Sequence, residues 1–177
     1  MTDRTSTEAN RFDYHEELPA DKERVWSLLQ SYSHIPRDEI ESHLRDIYFN
    51  ILECLKSGGV LLDAGCAFGY ILRQIAIDDA PAANLIGIDL QRGFLDLGYD
   101  LFKDRDTFEG KSLASDLLNP DDHSLDVIND TVDVSHAAAL FHLFDWEDQV
   151  SLGTRQVKFF KKDAKQAMIV GRQIGTL

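Results

Sequence analysis

Five short runs rich in apolar residues recur along the chain with helical stretches between them, and this alternation constrains the fold most. The runs are Val60-Leu61-Leu62, Leu85 to Ile88, Leu113-Ala114, Val132 to Val134 and Ala167 to Val170. A strand covered on both faces is continuously apolar rather than alternating, and Val60-Leu61-Leu62 has that character. Tyr70 to Ala76 predicts a helix after the first run. Phe94, Leu97 and Leu101 mark another after the second. Trp146, Val150, Val157 and Phe160 carry a third before the last run, with Asp145 as its N-cap and Lys158, Lys161 and Lys162 near its negative end. Strands alternating with helices demand parallel pairing through right-handed crossovers. The expected fold is α/β: a doubly wound, mostly parallel sheet of about five strands, preceded by two helices.

Those two helices come from the first third of the chain. Val25, Leu28, Leu29 and Tyr32 fall at i, i+3, i+4 and i+7, one helical stripe, with Asp21 as an N-cap after Pro19. The second opens at Pro36, with Asp38 and Glu39 facing its positive end. Ile40, Leu44, Ile47, Ile51 and Leu55 then share a face until Gly58 and Gly59 stop the helix. Residues 1–19 are polar and aperiodic and are expected to form a mobile leader, with Phe12, Tyr14 and Leu18 as anchors. The expected division is a leader over 1–19, a helical cap over 20–57 and a core over 58–177.

Charge excludes several functions. With 18 basic and 31 acidic residues the net charge is −13 and the pI about 4.7. No basic face is available to neutralise nucleic-acid phosphates or to hold an anionic membrane. No apolar run approaches the ~20 residues of a membrane span. Residues 1–11 lack an apolar signal core, so a cytoplasmic location is expected. The two cysteines, Cys54 and Cys66, supply neither a disulfide framework nor a four-ligand zinc site, and no metal is expected. Cys66 is expected to be a small loop residue rather than a nucleophile.

The chemistry concentrates where the first strand meets the next helix, in Asp63-Ala64-Gly65-Cys66-Ala67-Phe68-Gly69. A strand running into a glycine-rich turn and then a helix cradles a nucleotide, because glycine admits close backbone approach. A dinucleotide fingerprint places glycine at i, i+2 and i+5. Counted from Gly65 those positions hold Gly65, Ala67 and Tyr70, so two fail. A phosphate-binding Walker loop fails too. Gly110-Lys111-Ser112 ends like one, but Arg105 stands where its first glycine belongs. The pattern is instead acid-x-Gly-x-x-x-Gly, which resembles motif I of the class I methyltransferases dependent on S-adenosylmethionine (SAM).

Later strand ends extend the pattern. Asp89 closes the second strand, where an acid accepts both ribose hydroxyls of a nucleoside; NAD and SAM sites share this feature. Ser115-Asp116-Leu117 follows the third. In class I methyltransferases an acid there accepts from the adenine amine while its neighbour contacts the ring. Ser135-His136-Ala137 ends the fourth, where methionine moiety and acceptor would meet.

Three longer stretches resemble one group in that superfamily: Leu97 to Asp106, His136 to Trp146, and Val170 to Gly175. Tyr32-Ser33-His34-Ile35-Pro36, with His43 and Arg45, fits as well. Together they are similar to the fungal secondary-metabolite methyltransferases of polyketide and meroterpenoid pathways, from about Leu18 to Leu177. The resemblance implies a Rossmann-like core and methyl transfer from SAM to a small hydrophobic metabolite at a hydroxyl or carboxylate oxygen. It also implies cofactor contacts from Asp63, Gly65, Gly69, Asp89, Leu90, Asp116, Leu117 and Ala137. A hydroxyl acceptor calls for a base, with His136 and His142 as the candidates; a carboxylate needs none.

Three departures stand out. Ala67 replaces a motif I glycine. The aromatic and proline-rich segment that members carry before motif I is missing, since Arg45 runs almost directly into Leu55. The chain stops at Leu177, after the fifth strand, without the family's final helix and antiparallel strand pair. A shortened family member is therefore expected, with an exposed sheet edge open to self-association. A degenerate, non-catalytic SAM-binding protein stands beside the working enzyme as an alternative. An NAD-dependent oxidoreductase is disfavoured by the glycine spacing.

Overall fold

The computed structural model describes residues 22–164 and 167–173. Its contacts divide the chain into two units, Met1–Asp46 and Ile47–Leu177. The division falls inside a helix, upstream of the glycine pair. The expected leader, its anchors Phe12, Tyr14 and Leu18, and the Asp21 cap lie outside the described residues.

The first unit contains α1 (Lys22–Ser31), a one-turn 3-10 helix (Arg37–Glu39) entered from Pro36, and the start of α2 (Ile40–Lys56). Tyr32, the last residue of the first predicted stripe, is exposed. His34, Ile35, Pro36 and His43 line a shallow groove of about 310 Å³ within this unit.

The second unit is an α/β layer structure. Its strands are β1 (Leu61–Ala64), β2 (Leu85–Asp89), β3 (Lys111–Ala114), β4 (Val134–His136) and β5 (Met168–Val170). They form one sheet in the order β3-β2-β1-β4-β5, with every neighbouring pair parallel. Between them run α3 (Tyr70–Ile77), α4 (Arg92–Phe102), a 3-10 segment (His123–Ile128) and α5 (Trp146–Phe159). Among the described residues no helix is long and apolar enough to cross a membrane.

Successive side chains on a strand point to opposite faces, so β1 feeds two cores. Leu61 packs with Leu72, Ile75, Leu85 and Val134, and with Ile51, Leu52 and Leu55 from the second half of α2. Leu62 packs on the other side with Ile86, Ile88, Leu125, Ile128 and Phe159. All four β1 residues are buried, Leu61 and Leu62 as the apolar run predicts and Asp63 and Ala64 beyond it. Gly58, at φ +99°, ends the chain path out of α2, and its amide bonds Leu55.

One local reading is corrected, and two helices form as expected but turn other residues inward. The fourth strand is Val134–His136, not Val132 to Val134; Val132 makes an isolated bridge with Phe160 instead. The residues that mark α4, Phe94, Leu97 and Leu101, are all exposed, and Leu95 and Gly98 face inward. On α5, Trp146, Val150 and Val157 are likewise exposed, while Leu152, Gln156 and Phe159 are buried. Asp145 does cap α5, accepting from the Asp148 amide at 3.0 Å. The helix ends at Phe159. Beyond it, Lys161 reaches the Asp133 carboxylate at 2.6 Å and Lys162 reaches Asp130 at 2.7 Å. Asp133 also accepts from the Val60 amide at 2.8 Å and so ties the amino ends of β1 and β4 together.

Candidate functional site

Parallel strands bring their carboxyl ends to one rim of the sheet, and the connection out of each forms the site there. Three residues of the turn after β1 have left-handed backbones: Gly65 at φ +75°, Ala67 at +47° and Gly69 at +68°. The turn is pinned to β2, since the Gly65 and Cys66 amides donate to the Ile88 carbonyl at 2.8 and 3.0 Å. The Asp89 carboxylate, at the end of β2, accepts the Ala67 amide on one oxygen and the Gln91 amide on the other, each at 2.9 Å. Leu90 beside it is exposed.

Asp63 is 3% exposed, and its Oδ1 lies 2.7 Å from Nδ1 of His136. The two are register partners at the ends of β1 and β4. The His136 side chain remains 20% exposed, so its ring reaches the rim. Ala137 is buried, and its amide donates to the Val170 carbonyl at 2.8 Å.

Beyond β3, Asp116 accepts from the Leu118 amide at 2.9 Å, a local turn that fixes its carboxylate. Leu117 is half-buried and packs against the two cores on this side. The loop is secured by Asp122, which accepts the Ser115 hydroxyl at 2.6 Å and the Ser124 amide at 2.9 Å. These donors, the Ser115 hydroxyl foremost, hold the Asp122 carboxyl at a pKa of about 2.

Hydrogen bonds bring several of the sequence-predicted residues together. Direct bonds join Asp63 to His136, and Asp89 to the turn that holds Gly65 and Gly69. His142 lies on a one-turn helix, Phe141–Leu143, with Nδ1 3.3 Å from Oε1 of Gln173. Gln173 also donates to the Ala137 carbonyl and accepts from the Leu140 amide at 3.1 Å. Sequence reasoning missed Gln173, Asp122 and Arg73 as supporting residues. The partners of Gln173 and Arg73 are distant in sequence or carried by backbone, those of Asp122 are nearby serines, and only the resemblance over Val170 to Gly175 pointed near one of the three.

The residues fit a nucleoside sulfonium cofactor. The glycines at 65 and 69 lend the turn its left-handed path, and Asp89 retains lone pairs for hydroxyl donors. Asp116 and exposed Leu90 flank the same rim. No extra glycine is present for the pyrophosphate of a dinucleotide, where Ala67 and Tyr70 stand.

No family model matches the chain. Among curated proteins it is 40% identical over 129 residues to the O-methyltransferase phiE of a fungal species, covering 72% of this chain and 43% of that protein. It is 31% identical over 196 residues to the methyltransferase ausD of Penicillium brasilianum, covering 92% of this chain and 70% of that one. The chain thus spans roughly half to two thirds of the length of its curated relatives. Among solved structures, the methyltransferase domain of bacterial CtHen1-CN matches with a TM-score of 0.50 at 17% identity, over 63% of this chain and 57% of that one. With a Rossmann-like parallel sheet, an acid-x-Gly-x-x-x-Gly turn and this kinship, the chain belongs to the SAM-dependent methyltransferases of fungal secondary metabolism.

Proposed function

We propose that this chain transfers a methyl group from SAM to a small hydrophobic secondary metabolite, at a hydroxyl or carboxylate oxygen. The observation that carries the reading is the meeting of the glycine turn, Asp89 and the Asp63–His136 pair on one rim. The kinship with phiE, named an O-methyltransferase, supports oxygen as the acceptor atom.

SAM supplies an electrophilic sulfonium methyl with a good leaving group. The protein's tasks are therefore to position the acceptor, exclude water and remove a proton where the acceptor carries one. When SAM is bound, Asp89 would accept from its ribose hydroxyls and Asp116 from its adenine amine, and the turn from Gly65 to Gly69 would hold the cofactor by its backbone. Leu90 and Leu117 would give the purine apolar contact. A carboxylate only accepts hydrogen bonds, so Nδ1 of His136 donates to Asp63 and Nε2 is the nitrogen left to take the acceptor's proton. His142 is the second base candidate, held through Gln173.

Calorimetric titration with S-adenosylhomocysteine, alongside NAD and an Asp89→Ala variant, tests the reading. Saturable binding of the homocysteine compound alone is expected. Loss of the charge-assisted bonds from Asp89 is expected to weaken it about 10- to 100-fold. A folded protein that binds NAD, or neither compound, overturns the proposal. Product formed from labelled SAM in a screen of phenols and carboxylic acids then separates a working enzyme from a non-catalytic binder.

A further inference from the structure

A turn with three left-handed residues in five needs support from outside, above all at Ala67, whose Cβ makes that conformation unfavourable. Asp89 supplies support on the inner side by holding the Ala67 amide. The outer side is held by a residue with no part in the chemistry. Arg73 of α3 is 8% exposed although it is charged. Its Nε and Nη2 meet the two oxygens of Asp104 at 2.9 and 3.0 Å. The remaining nitrogen, Nη1, lies 3.4 Å from the Phe68 carbonyl and 3.3 Å from the Gly69 carbonyl. The rings of Phe108, Tyr99 and Phe102 surround the guanidinium at 4.2, 5.1 and 5.1 Å.

A buried guanidinium is tolerated only when paired, and Asp104 with three aromatic rings already meets that need. The nitrogen left over is spent on the turn. The fit is close on both sides. A Cβ on Gly69 would stand 2.6 Å from Nη1, and a Cβ on Gly98 of α4 would collide with the Phe68 carbonyl. The end of the turn is therefore enclosed between Arg73 and α4.

We propose that Arg73 is a positioning residue for the cofactor turn. Anchored on Asp104 and held among Phe108, Tyr99 and Phe102, it fixes the Phe68 and Gly69 carbonyls. Ala67 is thereby kept left-handed with its amide on Asp89. The identity of the ligand rests on the methyltransferase reading; the clamp on the turn does not.

The test uses the full chain with Arg73→Met, Arg73→Lys, Ala67→Gly and the double variant Arg73→Met/Ala67→Gly. Two quantities are read: amide hydrogen exchange over residues 66–70 and S-adenosylhomocysteine affinity. Arg73→Met is expected to speed exchange in the turn while β1 and β2 amides keep their protection. If the turn is competent about one-tenth of the time, the apparent affinity falls about tenfold. Arg73→Lys, which cannot span Asp104 and both carbonyls, is expected to fall between. Ala67→Gly removes the left-handed penalty, so it is expected to raise affinity more in the Arg73→Met background than on its own. That non-additivity is the signature of positioning.

Unchanged turn exchange, or affinity lost only as the strand amides open too, overturns the proposal. So does a double variant whose losses simply add. If Arg73→Met does not fold, the turn and strand exchange of Arg73→Lys decides by the same criteria. A wild-type chain that binds no S-adenosylhomocysteine overturns the methyltransferase reading instead, and the exchange arm still decides the clamp.

Discussion

Asp63 and His136, separated by 73 residues in the chain, face each other across neighbouring parallel strands with Oδ1 and Nδ1 2.7 Å apart. The carboxylate orients the ring and fixes which nitrogen carries the proton. For a hydroxyl acceptor, His136→Asn is expected to lower methyl transfer by about 10²–10⁴, the usual contribution of a general base. S-adenosylhomocysteine affinity should stay within a few-fold. Initial rates with labelled SAM at saturation check this. An unchanged rate on a phenol acceptor excludes His136 as the base, and the same comparison with His142→Asn tests the other candidate. A carboxylate acceptor should be nearly indifferent to both.

Asp122 makes the loop after β3 sensitive to acid. Its carboxyl is held at about 2, against an ordinary value of 3.8, first by the Ser115 hydroxyl and then by Ser124. A depressed folded-state value means that the stabilisation is fully present above the ordinary value and is lost as pH falls toward about 2. Wild type should therefore exceed Asp122→Asn in urea midpoint by a constant margin from pH 5 to 7. The margin should narrow below pH 4. A margin independent of pH down to 3 refutes the assignment.

Cys66 lies in the cofactor turn yet should be chemically silent. Burial pushes its thiol well above the ordinary range, and the nearby Asp63 and Asp89 carboxylates add to the effect. Alkylation with iodoacetamide at neutral pH should leave Cys66 unmodified in the native protein and label it once denaturant is added. Cys54, half-buried and raised mainly by desolvation, should react sooner. Mass mapping of the modified peptides decides.

Two glycines on helices give opposite outcomes for one substitution. Gly98 abuts the Phe68 carbonyl, so Gly98→Ala should destabilise by about 1–3 kcal/mol through overpacking and should weaken cofactor binding as the turn shifts. Gly153 of α5 has open space where a Cβ would go. Gly153→Ala should stabilise by about 0.5–1 kcal/mol, because alanine favours the helix. Chemical denaturation of both variants tests the pair, and a stabilised Gly98→Ala overturns the packing claim.

β1 and β2 were legible because a buried strand shows as an apolar run, and the turn because Asp63, Gly65 and Gly69 lie close in sequence. The inward faces of α4 and α5 were not legible. Gly98 and Gln156 occupy positions there, and a hydropathy stripe is blind to a glycine chosen for close approach or to a glutamine that bonds a buried serine. Gln156 does so, accepting from Ser135 at 2.8 Å. The apolar residues on the outer sides of those helices, such as Leu97 and Val157, therefore dominated the pattern. Asp89, Asp116 and His136 could be named from their places at or just past strand ends, although β4 itself is displaced toward His136. The supports Arg73, Asp122 and Gln173 stayed hidden, since nothing in local sequence shows which carbonyl or hydroxyl a side chain will reach.

The strand order has a consequence for synthesis. β1 sits at the centre of the sheet but is made first, and its neighbour β4 emerges about 70 residues later. At 5–20 residues per second, the nascent chain carries a half-paired central strand for about 4–15 s. During that interval Leu61 can bury itself against α2, already made, whereas the β4 side of the strand waits. Codon usage or a chaperone that shelters the growing chain across those seconds would govern how much of it reaches the folded state.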